Sequence, residues 1–290
     1  MGSRGGSRIA VTGAAGSLAS DVLPGLAELG YGIVGVDRLP APPGTPCSWV
    51  RCDVTDREAL RTAFDGCAAV VHLAGIPLEA DWEQLLRVNI DGTQSVLETA
   101  RHAGVPRVVL ASSIHAAGFV PVPGGTERVP DDVPVRPDTF YGVSKAALEA
   151  LGSLYHDRYG MDVVCLRIAS RFARPLGERM LSTWLSPADA VRLLDAALTV
   201  ASPGFRIVWG VSANSRGYLS PEGGAAIGFH PRDDAEDHAT ELFEAARRDP
   251  AVLASEWDRR YIGGDFCSPD PPMHHGPAVS PDPARNPSAR

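Results

Sequence analysis

Lysine is nearly missing from this chain: of its 27 basic residues, 26 are arginine and one, Lys145, is lysine. A genome that favours arginine codons erases lysine wherever a guanidinium will serve, so the survivor marks chemistry that needs a compact amine. Other shortages exclude whole classes. The five cysteines, at 47, 52, 67, 165 and 267, are odd in number and never form a two-residue clip, which excludes a disulfide framework and a zinc clip, so no metal is expected. Positive charge is not in excess: a formal net charge of -8 and a pI near 5.5 exclude the footprint that nucleic acid or an anionic membrane requires. No apolar run is long enough to span a bilayer, and residues 1–8 lead into a strand without a signal-type apolar region. The expectation is a cytoplasmic protein with reduced thiols and a small-molecule partner, its homo-oligomeric state left open.

What is present is a 290-residue chain, 44% hydrophobic, enough for one large domain with a small lobe. Arg8-Ile9-Ala10-Val11-Thr12 reads as a buried strand, followed by a glycine turn and a helix to about Gly30, then a second strand ending at Asp37. The alternation continues with strands near 49–52, 68–73, 107–111 and 162–168, and with helices from Asp56, over 81–102 and over 138–159. Strand, helix, strand repeated in this way predicts an α/β fold, a doubly wound parallel sheet of the Rossmann type with six or seven strands. A Pro- and Gly-rich excursion covers 121–137, and past Ser170 the rhythm breaks, with Ser186 and Pro187 opening a later helix as N-cap and first-turn residue. The expected division is a flexible start at 1–7, a dinucleotide-binding domain at 8–169, a C-terminal substrate lobe at 170–267 and a disordered Pro-rich tail at 268–290, whose His274-His275 pair is inert.

The turn Gly13-Ala14-Ala15-Gly16-Ser17-Leu18-Ala19 has glycine at the first two fingerprint positions and alanine at the third. Such a turn lets backbone approach a pyrophosphate at a helix N-terminus, though a structural turn has the same pattern. Asp37, at the end of the second strand, supplies the carboxylate that accepts from the adenosine ribose and repels a 2′-phosphate, which favours NAD over NADP, while the adjacent Arg38 argues the other way. Asp53 has two readings, as the cap of the following helix or as an adenine contact.

Tyr141-Gly142-Val143-Ser144-Lys145 sets a phenol and an amine four residues apart, hence neighbours on one helix face. An ammonium there lowers the phenol pKa from about 10 and makes it a general acid or base. Ser113 follows a strand at the sheet's carboxyl edge, where its hydroxyl can orient a reacting oxygen, although a Ser-Ser pair after a strand is also an ordinary cap. Asn89 reads as a helix-stabilising side chain or a relay member, and His115 as a substrate contact.

Together the glycine turn, Asp37, His72-Leu73-Ala74-Gly75, Ser112-Ser113 and the Tyr141/Lys145 pair resemble the extended short-chain dehydrogenase/reductases, over about residues 8–267. Arg179-Met180-Leu181-Ser182-Thr183-Trp184, Val208-Trp209-Gly210-Val211-Ser212-Ala213-Asn214 and Gly263-Gly264-Asp265-Phe266 are similar to the uronate dehydrogenase branch of that family. The resemblance implies a catalytic set of Ser113, Tyr141 and Lys145. It implies NAD held by Gly13, Gly16, Ser17, Leu18, Asp37, Arg38, Asp53, Val54, Leu73, Ala74, Gly75, Asn89, Tyr141, Lys145 and Ile168. It implies a substrate pocket of Pro77, Ile114, His115, Ser170, Arg179 and Phe266, with Arg179 on a substrate carboxylate. The activity implied is oxidation of a hexuronic acid at its anomeric carbon to an aldarolactone.

Two positions depart from that branch: Pro77 stands where it has a serine and Ile114 where it has an asparagine, and both changes remove hydrogen-bond capacity. Arg171 and Arg174 add positive charge that its pattern does not require. An NAD-dependent epimerase or a ketoreductase on a non-uronate substrate is the alternative, although Arg167-Ile168-Ala169-Ser170 lacks the asparagine that epimerases place there. A dinucleotide-sensing regulator is the third reading, against which both Tyr141 and Lys145 are retained.

Overall fold

The structure is a computed structural model and describes residues 6–274. Its strands are β1 (Arg8–Thr12), β2 (Gly32–Asp37), β3 (Ser48–Arg51), β4 (Ala69–His72), β5 (Arg107–Ser113), β6 (Asp162–Ile168), β7 (Ser170–Arg171), β8 (Trp184–Leu185) and β9 (Phe205–Gly210). Seven of them form one parallel sheet in the order β3-β2-β1-β4-β5-β6-β9, and β7 pairs with β8 alongside it. The inner strands are continuous apolar runs because both faces are covered. Alternate residues feed two cores: Ile9, Val11, Val71, Val109 and Val164 on one face, Ala10, Val70, Val108, Leu110 and Val163 on the other.

Helices α1 (Ser17–Glu28), α2 (Arg57–Phe64), α3 (Trp82–Leu85), α4 (Gly92–His102), α5 (Phe140–Tyr159), α6 (Met180–Thr183) and α7 (Pro187–Thr199) bring the covering residues. α1 and α7 supply Leu23, Leu26, Leu193 and Leu194 to the first core. α2, α4 and α5 supply Leu60, Leu97 and Leu148 to the second. α1 and α7 can approach because Gly25 has no Cβ, which would sit 2.8 Å from Val191 Cγ2.

The expected boundary at 169/170 does not follow the sheet. The chain leaves the sheet after β6, then returns through α7 and β9, whose whole length pairs with β6. The N-cap expected at Ser186 is present, its side chain accepting from the Asp189 N–H at 2.9 Å, with Pro187 in the first turn. Outside the sheet, Leu181, Trp184, Ala235, Ala239 and Leu242 form one small core. Ile114, Val120, Val129, Leu219 and Ile262 form another against Trp209 of β9, which sews the 121–137 excursion to the lobe.

Three local expectations change. The helix expected over 81–102 is interrupted at Leu86–Asp91 by a π-helical turn that carries Asn89, a distortion that recurs at functional sites. α2 is capped by Asp56, which accepts from the Ala59 N–H, so Asp53 is not its cap; Asp53 Oδ1 instead accepts from the Thr55 N–H and hydroxyl. The disorder expected from 268 does not hold as far as His274, since Met273 bridges to Glu79 and the His274 N–H donates to the Glu79 carbonyl at 2.7 Å. The rest of the tail, His275 included, lies outside the described residues. No helix of the described residues is long and apolar enough to cross a membrane.

Candidate functional site

The order of connection reverses between β1 and β4, and at such a switch point the carboxyl ends of the strands open a crevice for ligand. On one side lies the turn after β1. Gly13 has φ 72°, and a Cβ there would lie 2.6 Å from the Ala74 nitrogen, so glycine is what allows this turn to lie against Leu73 and Ala74. The N-cap position of α1 is Gly16, which offers no side-chain cap, and the first turn of the helix holds no acid. The Ser17 and Leu18 end of α1 therefore keeps unpaired N–H groups and positive dipole for an anion. Asp37 is half-buried at the end of β2: its Oδ2 accepts from the Ala15 N–H at 3.0 Å and its Oδ1 from the Leu39 N–H at 2.9 Å. Arg38 points to solvent, Val54 is buried beside the edge, and Gly75 and Ile168 lie at the open ends of β4 and β6. This donor set suits a dinucleotide: a capless helix end for the diphosphate, and a fixed carboxylate at the far strand whose charge opposes an added 2′-phosphate.

On the other side of the crevice α5 is started by Thr139, whose hydroxyl accepts from the Gly142 N–H at 3.0 Å, so Tyr141 falls in the first turn and Lys145 one turn on. The Tyr141 N–H donates to Glu79 Oε2 at 2.8 Å, and its phenol is hydrogen-bonded to Ser113. Lys145 Nζ lies 5.6 Å from the phenol ring centre and donates to the Ala111 carbonyl at 2.7 Å. Burial pushes the Tyr141 phenol up to about 12, against the Ser113 hydrogen bond and with a small addition from the Asp138 charge. Burial also pulls the Lys145 amine down to about 8, opposed by Glu149. The expected lowering of the phenol by Lys145 is thus not found in this arrangement, where burial raises the phenol more than its hydrogen bond to Ser113 lowers it.

Asn89 is 2% exposed and tied on three sides: Oδ1 accepts from the Ile76 N–H, while Nδ2 donates to the Ile76 carbonyl and to Ser144 Oγ. Ser144 in turn donates to the Tyr141 carbonyl, so Asn89 braces the turn that carries the phenol.

The expected substrate residues divide. His115 pairs with Phe266 and Ser170 with Arg179, and the 262–266 segment links the two pairs. The Phe266 ring stacks on His115 at 3.8 Å, and His115 lies 5.8 Å from the Tyr141 ring. Arg179 Nη1 donates to Ser170 Oγ at 3.1 Å and Nη2 to the Ile262 carbonyl, while Nε lies 3.6 Å from Asp258. Ile114 does not join them: it is 1% exposed and packed into the apolar core of Val120, Trp209 and Ile262. Pro77 is exposed at the rim.

Two partners escape the sequence. Asp138, with its carboxylate fully buried, accepts from His115 Nδ1 at 2.7 Å and from the Thr139 hydroxyl, which leaves His115 Nε2 as the outward-facing nitrogen. Glu149 pairs with Arg167 through two 2.8 Å bonds and accepts from Ser112. Nothing in the local spacing joins these residues, which meet only through the sheet.

Comparison with known proteins agrees with this geometry. Residues 9–206 match the NAD dependent epimerase/dehydratase family. A uronate dehydrogenase of Agrobacterium fabrum is 38% identical over 263 residues, covering 89% of this chain and 96% of that protein. A crystal structure of a tyrosine-to-alanine mutant of uronate dehydrogenase from Agrobacterium tumefaciens, complexed with NAD, superposes with a TM-score of 0.82 at 37% identity, covering 90% of this chain and 97% of that one. An L-arabinose 1-dehydrogenase (NAD(P)(+)) of Haloferax volcanii is 35% identical over 251 residues, covering 79% of this chain and 97% of that protein. With its glycine turn, fixed strand-end carboxylate and Tyr141/Lys145 helix, the chain belongs to the NAD-dependent epimerase/dehydratase family of extended short-chain dehydrogenase/reductases and is an NAD-dependent dehydrogenase.

Proposed function

We propose that this sugar dehydrogenase oxidises a hexuronic acid at its anomeric carbon, giving an aldarolactone and NADH. The observation that carries the reading is Arg179. Its guanidinium is largely buried and braced by Ser170 and Ile262, at the end of the 262–266 segment that also stacks Phe266 over His115 beside Tyr141. A cation there fits a carboxylate at the far end of a sugar ring from the carbon being oxidised.

The NAD cofactor supplies the hydride acceptor. Tyr141 takes the proton of the anomeric hydroxyl as its carbon gives up hydride, and Ser113, hydrogen-bonded to the phenol, orients the same oxygen. Lys145 provides the neighbouring charge, and Asp138 fixes His115 so that Nε2 accepts from a sugar hydroxyl. The similarity to uronate dehydrogenases over most of the chain supports this reading.

A neutral sugar is the second reading. Asp258 already offsets part of the Arg179 charge at 3.6 Å, and the L-arabinose enzyme is a relative. Following NADH absorbance with glucuronate, galacturonate, glucose and arabinose separates the two. Arg179→Ala should raise KM for a uronate roughly ten- to a hundredfold, the worth of a charge-assisted pair, and leave KM for neutral sugars nearly unchanged. Absence of uronate turnover, or an equal rise for neutral sugars, would remove the uronate reading.

A further inference from the structure

Arg171 sits immediately after Ser170, and its backbone is held by the β7–β8 pairing opposite Leu185. Its side chain is 19% exposed and reaches back across the crevice to the start of α1, where Nη2 donates to Ser17 Oγ at 2.9 Å and Nη1 pairs with Asp21. We infer that Arg171 is a cofactor-binding residue, a cation that meets the NAD diphosphate at the start of α1 and shields it from Asp21.

The argument is electrostatic. α1 carries two acids, Asp21 and Glu28, and no basic residue, so its own side chains oppose the anion that its N-terminal dipole favours. Asp21 lies one turn from Ser17, close enough to repel two phosphate charges in a crevice of reduced dielectric. Arg171 answers this repulsion from another part of the chain. Its guanidinium has donors for Asp21 and for a phosphate oxygen together, which a lysine amine would present less rigidly. The placement also joins the two halves of the crevice, since Ser170, the adjacent residue, bonds to Arg179 and Thr183. This inference rests on the family's cofactor and is independent of which sugar is oxidised.

A plain structural clasp between the 171–179 loop and α1 is the competing explanation, and the two differ in sign. Calorimetric titration of the full chain with NAD and with ADP-ribose, for the wild type, Arg171→Met and Asp21→Asn, decides between them. If Arg171 serves the diphosphate, Arg171→Met weakens both ligands about tenfold, the lower end for a charge-assisted bond that is partly exposed. Added salt then weakens binding less than in the wild type, and Asp21→Asn tightens both ligands by removing the repulsion. If the pair is a clasp, both substitutions break it and both weaken binding. Unchanged affinity in Arg171→Met, a loss for NAD but not for ADP-ribose, or weaker binding in Asp21→Asn would each overturn the inference.

Discussion

At the active phenol the balance of forces is set by burial rather than by its neighbour. Tyr141 is held near 12 and Lys145 near 8, so in the free protein at neutral pH the phenol keeps its proton. Oxidation needs the opposite, and the positive charge of oxidised nicotinamide is the change that binding brings to the crevice. The expected outcome is a spectrophotometric phenolate titration, taken as the difference from Tyr141→Phe, whose midpoint falls when oxidised NAD is bound and stays high with NADH. The same Tyr141→Phe protein should bind NAD normally and show no turnover, since it loses one hydroxyl and little volume. Identical midpoints with both cofactor forms would show that Tyr141 does not face the nicotinamide.

α5 is the element on which most of the site depends, and its buried face explains what the sequence showed and what it hid. Tyr141 and Lys145 could be read directly because four residues on one helix are neighbours whatever the fold. Gly13, Gly16 and Asp37 were legible for a similar reason, lying within one strand, turn, helix, strand unit. Glu149, a turn beyond Lys145, was not, because its partner Arg167 arrives through β6 and its third contact, Ser112, through β5. The same holds for Asp138 with His115 and for Arg171 with Ser17. β9 lies in the sheet although it falls within the range expected for the lobe, because its pairing with β6 follows a long departure from the sheet. Arg167 also donates to the Asp131 and Val133 carbonyls, so the Glu149 pair ties α5, the sheet and the Pro-rich excursion together. Glu149→Gln leaves a buried guanidinium uncompensated and should lower unfolding free energy in denaturant by about 3–5 kcal/mol. The double replacement Glu149→Leu with Arg167→Met should cost less than the sum of the two single changes, because neither charge is then stranded. A Glu149→Gln protein within about 1 kcal/mol of wild type would mean that the pair contributes little to holding α5 in place.

The acid stability of the whole molecule should turn on one histidine at the centre of the sheet. His72, 1% exposed at the end of β4, has Nδ1 2.7 Å from Thr12 Oγ1 at the end of β1 and Nε2 3.1 Å from Thr93 Oγ1 on α4. One neutral ring thus links two central strands and a covering helix directly beneath the crevice. Burial lowers its pKa from 6.5 to about 3, and the Lys145 charge adds to the effect. Between those values the unfolded chain binds a proton that the folded chain refuses. Stability therefore falls as pH drops from about 6.5 toward 3, with a slope from this group approaching roughly 1.4 kcal/mol per pH unit. Carboxylates titrate over part of the same window, but they do so in wild type and variant alike. His72→Gln keeps an amide able to bond to one threonine and carries no titrating proton. It should be less stable at neutral pH through lost packing, yet its unfolding free energy should decline less steeply between pH 6 and 4, by close to one proton's worth of slope. Parallel acid limbs for the two proteins would show that His72 already takes up its proton in the folded state, and that the threonine bridge survives with a charged ring.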